Sequence, residues 1–392
     1  HPQTVWKIVL FLPVFCPTIG AHLRECYYCN SFFRLILMFK KLKEIQILKS
    51  ATIKEAIVIM DNVGYGLCVC IDHSKKVIGI MTDGDFRRGV LNGIDLNNPI
   101  ESIVNKDFIK IEEGFSQEDI EGIFLNTVAR IIPVLGVNGT LQNIIFKDVF
   151  FDGKGEDQIK ENIPYPVVIM AGGEGTRLAP FTNILPKPLL PLGNDPVIKV
   201  IMDRFNAGGV DEFYITVNSK KQMIKGYFHD HKSPYKIHFV DEDEPLGTAG
   251  SLGLVKENID TNFFVVNCDA VLDIDYSDLV KFHNTGGFDL TLVASMKHYT
   301  VPYGVCNVDN QGLLVSMHEK PEQDLLVNTG LYFLNRSVLD LISGDEFLHM
   351  TDIIHILKEK GFKVGVYPVT EKSWLDVGQW EEYSETLKQL GL

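Results

Sequence analysis

The apolar positions of this chain fall into two rhythms separated by a polar break. From Leu42 the first is a compact βαββα pattern. Thr52-Ile-Lys-Glu55 reads as a capping box at the head of a helix through Asn62, with Ile53, Ala56, Ile57 and Met60 on one face. Residues 66–71 and 77–81 are two short strands joined by the polar turn 72–76, and a second helix over about 83–92 stops at Gly93. The pattern then recurs. Ser116-Gln-Glu-Asp119 opens a helix, and 131–137 and 141–146 pair across Asn138-Gly139, a strong hairpin turn. The stretch 152–162, charged and carrying Gly153 and Gly155, reads as a linker.

The second rhythm begins at Val167, where four apolar residues through Met170 predict a buried strand running directly into Gly172, Gly173 and Gly175. Pro180, Pro186, Pro188 and Pro191 then predict a long extended excursion, followed by a helix over 196–207 closed by Gly208-Gly209. Strands at 212–217, 237–240 and 263–267 alternate with helices at 220–228 and 248–255, and a last helix occupies 379–390. Such alternation predicts a Rossmann-like, mostly parallel α/β sheet covered on both faces, with ligands beyond the carboxyl ends of its strands.

Composition narrows the field. A chain of 392 residues exceeds what one core usually supports, so two or three domains are expected, and 45% hydrophobic with 22% charged residues is ordinary for a globular protein. A net charge of −14 opposes non-specific nucleic-acid binding, so an anionic ligand has to be held by local cations and metal. The seven cysteines are scattered, and the Cys26/Cys29 pair has no second pair or histidine nearby, which argues against a disulfide framework or a zinc site. An apolar run over 8–15 behind Lys7 is too short to span a bilayer and is broken by Pro13. Residues 1–37 are expected to be an upstream extension without structural role before Met38, secretion being the competing reading. The expectation is a cytoplasmic protein without a membrane segment.

A strand feeding a glycine loop suggests a phosphate site, because glycines let the main chain approach an anion while Arg177 and Lys187 add charge. A dinucleotide loop would need a closing glycine or alanine where Leu178 stands, and a P-loop would need Gly-Lys-Ser/Thr after the glycines. The order GGEGTRLAPFT through PKPLLPLGNDPVI instead resembles the sugar-1-phosphate nucleotidyltransferase family, whose sheet is GT-A-like.

That resemblance, over about 164–392, implies roles for particular residues. Ala171, Gly172, Gly173, Gly175 and Thr176 would bind the nucleotide, Arg177 and Lys187 would be catalytic charges, and Gly247 and Thr248 of Pro245-Leu-Gly-Thr-Ala-Gly250 would lie against base and sugar. Asp269, ending Phe263-Phe-Val-Val-Asn-Cys-Asp269, and Asp376, in Trp374-Leu-Asp376-Val-Gly378, would bind magnesium, with Cys268 where the family usually has glycine. Pro302-Tyr-Gly304, Glu319-Lys320-Pro321 and Asn328-Thr-Gly330 would form the sugar-phosphate half. There Lys320 neutralises the acceptor phosphate, Glu319 accepts from sugar hydroxyls, and Gly304, Asn328 and Thr329 line the pocket. Asp273 and Asp275 read as a solvated turn, and Glu174 as pointing outward from the triphosphate loop.

The two βαββα units, over 38–151, resemble a tandem pair of CBS domains, modules that commonly bind adenine nucleotides. Within Val77-Ile-Gly-Ile-Met-Thr82-Asp83-Gly-Asp85, Thr82, Asp83 and Asp85 would hold a regulatory adenine nucleotide; the second copy has Phe146-Lys147-Asp148 where a threonine is expected. The pair also implies a homo-oligomer. The implied reaction joins a nucleoside triphosphate and a sugar 1-phosphate into a nucleotide sugar with release of pyrophosphate. The CBS pair and the loop variants look most like guanylyltransferases of the legionaminic acid pathway acting on glucosamine 1-phosphate. Mannose or heptose 1-phosphate guanylyltransferases and thymidylyl or cytidylyl enzymes are the alternatives. A catalytically silent sensor would be expected to lack Asp269, Asp376, Arg177 or Lys187, and all four are present.

Overall fold

The computed structural model describes residues 42–64, 66–127, 129–151, 163–231 and 233–389, so the extension 1–37 and the linker 152–162 lie outside the described residues. The first repeat comprises β1 (Gln46–Leu48), α1 (Ile53–Val63), β2 (Leu67–Ile71), β3 (Val77–Thr82) and α2 (Asp83–Leu91). β1 runs parallel to β2, and β3 antiparallel to it. The second repeat, β4 (Ile111–Glu112), α3 (Gln117–Asn126), β5 (Ile131–Leu135), β6 (Leu141–Phe146) and α4 (Lys147–Phe151), has the same strand order and senses. The capping boxes at Thr52 and Ser116 are both formed. Ile45, Val69 and Val77 of the first repeat share a core with Leu135 and Ile144 of the second, so neither sheet buries its apolar face alone.

The larger domain is built on a seven-stranded sheet in the order β11-β10-β7-β12-β17-β14-β18. In chain order its elements are β7 (Val167–Met170), α5 (Phe181–Ile184), β8 (Pro191–Leu192), β9 (Asp195–Pro196), α6 (Val197–Ala207), β10 (Glu212–Val217), α7 (Lys221–Asp230) and β11 (Lys236–Asp241). Then come α8 (Gly247–Gly250), β12 (Phe263–Asn267), β13 (Ala270–Leu272), α9 (Tyr276–Gly286), β14 (Leu290–Thr300), β15 (Val305–Val308), β16 (Leu314–His318) and β17 (Glu322–Leu334). α10 (Met350–Glu359), β18 (Val364–Val369), β19 (Trp374–Asp376) and α11 (Trp380–Gln389) follow. β7 is apolar throughout because it is covered twice. Val167 and Ile169 pack with Ile201 and Phe205 of α6, whereas Val168 and Met170 pack with Ala249 and Leu252 on the other face. The expected mostly parallel sheet is present, with β17 antiparallel to both of its neighbours.

Two local expectations are corrected. The proline-rich excursion is not simply extended: it folds as the single turns Thr176–Leu178, Phe181–Ile184 and Lys187–Leu189. The helix expected over 248–255 is the four-residue α8 followed by a 3-10 turn, Ser251–Val255.

Candidate active site

β7 delivers the glycine loop to the carboxyl edge of the sheet, where the amide of Ala171 is still held by Thr216 O at 3.0 Å. Beyond it Gly173, Glu174, Thr176 and Arg177 are exposed. Gly175 is left-handed at φ 70°, and a Cβ there would stand 3.0 Å from both Lys187 Cβ and Thr182 Cγ2. Thr182 Oγ1 also donates to Gly175 O at 2.9 Å. Loop and proline-rich arm therefore form one unit, and the arm aims Lys187 inward.

Lys187 Nζ pairs with Asp269 Oδ2 just past the end of β12. The short β13/β19 ribbon sets Ala270 opposite Asp376, and Val377 N donates to Asp269 O at 3.1 Å, so two carboxylates distant in sequence converge. A methyl group on Gly378 would lie 2.8 Å from Asp269 Oδ2 and 2.9 Å from Asp376 Oδ1. Burial pushes the Asp376 carboxyl above its usual range. The Gly378 amide opposes that rise, and the Asp269 and Glu382 carboxylates add to it. Burial would lower the Lys187 ammonium, but Asp269, Cys268 and Asp376 together carry it above its ordinary value. Beside them Asn267 Oδ1 is buried and has no hydrogen-bond partner among the described residues.

Two of the three sugar-side motifs, Pro302-Tyr-Gly304 and Glu319-Lys320-Pro321, meet at the foot of the β15–β16 hairpin, whereas Asn328-Thr-Gly330 lies further along β17, with Asn328 opposite Ala294. Lys320, exposed and left-handed at φ 46°, donates its amide to Tyr303 O at 3.2 Å, and a Cβ on Gly304 would be 2.9 Å from Glu319 Oε2. Asn328 Nδ2 donates to the Tyr332 hydroxyl at 2.7 Å, and a Cβ on Gly330 would be 2.5 Å from Asn267 Nδ2, which sets this motif beside the strand end that carries Asp269. Thr329 departs from expectation. It is buried and its hydroxyl donates to Val293 O at 2.9 Å, so its side chain braces β17 from within.

Thr248 is also engaged: its Oγ1 accepts from Met350 N at 3.1 Å and caps α10. Gly247, at φ 77°, passes so close to that helix start that a Cβ would meet Leu348 O at 2.3 Å. Thr82 and Asp85 form the capping box of α2, with Thr82 Oγ1 donating to Asp85 Oδ2 at 2.7 Å, and Asp85 Oδ1 accepts from Arg88 at 2.6 Å. Asp83 is raised to about 6 by burial, with Arg87 opposing and Asp61 and Asp273 adding to the rise. Asp273 and Asp275 are not merely a solvated turn, since the first pairs with Arg204 at 2.8 Å and the second caps α9 and meets Arg130 at 2.8 Å.

Glu242, in the acidic run Asp241–Glu244, carries no sequence signal that sets it apart from its neighbours. It is only 4% exposed, tucked under the glycine loop so that a Cβ on Gly172 would stand 2.6 Å from its Oε1. Burial raises its carboxyl, while the Thr216 hydroxyl, the Leu246 amide and the Ser251 hydroxyl pull the other way.

A mannose-1-phosphate guanyltransferase from Candida albicans is 35% identical over 229 residues, covering 55% of this chain and 62% of the relative. A UTP–glucose-1-phosphate uridylyltransferase from Synechocystis is 30% identical over 246 residues, covering 56% of this chain and 62% of the relative. The chain thus spans less than two thirds of the length of these curated relatives. Among solved structures, HddC from Yersinia pseudotuberculosis aligns with 58% of this chain and 99% of its own, at 25% identity and a TM-score of 0.47. Residues 40–92 match the CBS domain and residues 166–391 match the Nucleotidyl transferase family. The second match covers more than half of the 392 residues, and the chain belongs to the nucleotidyl transferase family, with a CBS domain at its N-terminal side.

Proposed function

We propose that this chain transfers a nucleotidyl group, guanylyl by preference, from a nucleoside triphosphate to a sugar 1-phosphate, with glucosamine 1-phosphate as the first candidate acceptor. The observation that carries the reading is the convergence of Lys187, Asp269 and Asp376 beside the glycine loop. Ala171, Gly172, Gly173, Gly175 and Thr176 would take the triphosphate, and Gly247 and Thr248 the wall beside the base. Arg177 and Lys187 would meet charge at the α-phosphate, and Lys320, Glu319, Gly304 and Asn328 the acceptor. The acceptor phosphate is already an anion, so no general base is required, and these residues act by alignment and charge neutralisation.

The donor set fits magnesium. Two oxygen-donor carboxylates, Asp269 and Asp376, converge at Gly378. Such a site leaves coordination positions for substrate phosphates and waters, which suits a hard cation better than zinc. Asp269 and Asp376 would hold it, with Asn267 Oδ1 an unpartnered acceptor beside them. When bound it would supply charge to the phosphates.

The names of the guanyltransferase relatives and the chemistry of Glu242 support the preference for guanine. A buried carboxylate accepts two parallel N–H donors from guanine, whereas uracil and thymine offer one and place carbonyl oxygens beside it. We further propose an adenine nucleotide at Thr82, Asp83 and Asp85, a homo-oligomer formed through the CBS units, and a cytoplasmic setting. No helix among the described residues is long and apolar enough to cross a membrane.

Pyrophosphate release from four nucleoside triphosphates against a panel of sugar 1-phosphates tests the reading. GTP with one amino- or neutral-sugar phosphate is expected to dominate, and release in no combination would refute it. In the same matrix Glu242→Gln is expected to reduce the preference for GTP over UTP by about 10²-fold or more, the cost of leaving a buried polar pairing unmade. An unchanged ratio rules out Glu242 as the base reader.

A further inference from the structure

The segment leading to Asp376 is gripped from outside its own domain. Helix α2 of the CBS domain lies against β18, and the Arg87 guanidinium carbon sits 3.7 Å from the centroid of the Tyr367 ring. Arg87 also pairs with Asp278 and donates from Nε to Pro368 O at 3.4 Å, while the Tyr367 hydroxyl donates to the same Asp278 at 2.7 Å. A few residues on, Lys372 Nζ donates to Asn62 Oδ1 at 3.0 Å, and Asp61 faces the Thr370 hydroxyl and the Lys372 ammonium. Side chains from α1 and α2 therefore hold both ends of 367–372. From there the chain has only the turn Glu371–Ser373 before β19, which pairs with β13 and ends at Asp376.

We propose that the CBS domain acts as a clamp on 367–372, and that Arg87 is a positioning residue which sets Asp376 against Asp269. The guanidinium is suited to this because its planar fork reaches Asp278 and the Pro368 carbonyl while its face covers Tyr367. A lysine would keep the cation over the ring but lose one arm of the fork. The clamp rests on the reading of Asp376 as a metal ligand, and it makes metal affinity at the active site depend on a residue of the neighbouring domain.

The test compares the full wild-type chain with Arg87→Ala, Arg87→Lys and Asn62→Ala. Two readouts are followed: amide hydrogen exchange over 364–376 in metal-free protein, and the magnesium concentration giving half-maximal pyrophosphate release. In Arg87→Ala, exchange in that segment is expected to quicken about tenfold or more while β7 and β12 keep wild-type protection. The magnesium requirement is expected to rise about tenfold, with KM for the sugar phosphate within about twofold. Arg87→Lys is expected to fall between the two. Unchanged exchange and an unchanged magnesium requirement in Arg87→Ala overturn the clamp, as does faster exchange spread evenly over the whole sheet, which marks a merely structural role. A wild-type chain whose turnover ignores magnesium overturns the metal reading itself, on a separate measurement.

Discussion

Asp269→Asn is expected to lower turnover by at least about 10³-fold in a protein that keeps its circular dichroism spectrum. The substitution preserves the shape at the end of β12, where the main chain is fixed by Cys268 N to Met170 O at 3.3 Å and by Val377 N to Asp269 O at 3.1 Å. It removes one of the two charges that converge at Gly378 and the partner of Lys187. An amide is a poor ligand for a hard divalent cation, and the ammonium left behind repels it further. The fold should survive, because the Asp269 side chain is 22% exposed and solvent can take over part of the lost pairing. Steady-state kinetics at saturating magnesium check this, and turnover within tenfold of wild type rules out the assignment.

Lys187→Met is expected to reduce kcat by about 10²- to 10³-fold, with magnesium affinity retained or improved. The two substitutions thus separate in opposite directions on the metal. Losing Asp269 removes a ligand, whereas losing Lys187 frees the Asp269 carboxylate from a competing cation. The arm carrying Lys187 is packed against Gly175 and held through Thr182, so methionine can fill the aliphatic stem's place without releasing the loop. A fall in magnesium affinity that accounts for the whole loss of rate would show that Lys187 only shapes the metal site.

Much of this architecture was legible because its determinants are local. The boxes at Thr52 and Ser116, the hairpin at Asn138-Gly139 and the four apolar residues of β7 each carry their instruction within a few positions. β14 and β17 do not, and the sequence pattern predicts no strand between 267 and 379. The first half of β17 is exposed, and Leu314, Val315 and Met317 of the hairpin are more than half exposed, so apolar identity there does not track burial. Site residues divide in the same way. Asp269 was readable as a carboxylate ending a buried strand. Glu242 was not, because its burial arises from the approach of Gly172, far off in sequence. The family resemblance makes Thr82, Thr248 and Thr329 ligand contacts, yet their hydroxyls already serve backbone or capping partners, a use that spacing alone does not distinguish.

Phosphorus NMR of a single reaction tests most directly whether this site joins a nucleotide to a sugar 1-phosphate. With GTP, glucosamine 1-phosphate or the best acceptor of the panel, magnesium and the full chain, the acceptor phosphomonoester resonance is expected to disappear. A pair of coupled diphosphate resonances should replace it in step with free pyrophosphate. Pyrophosphate without the new diphosphate, or an unchanged spectrum for every acceptor and nucleotide, contradicts that reaction.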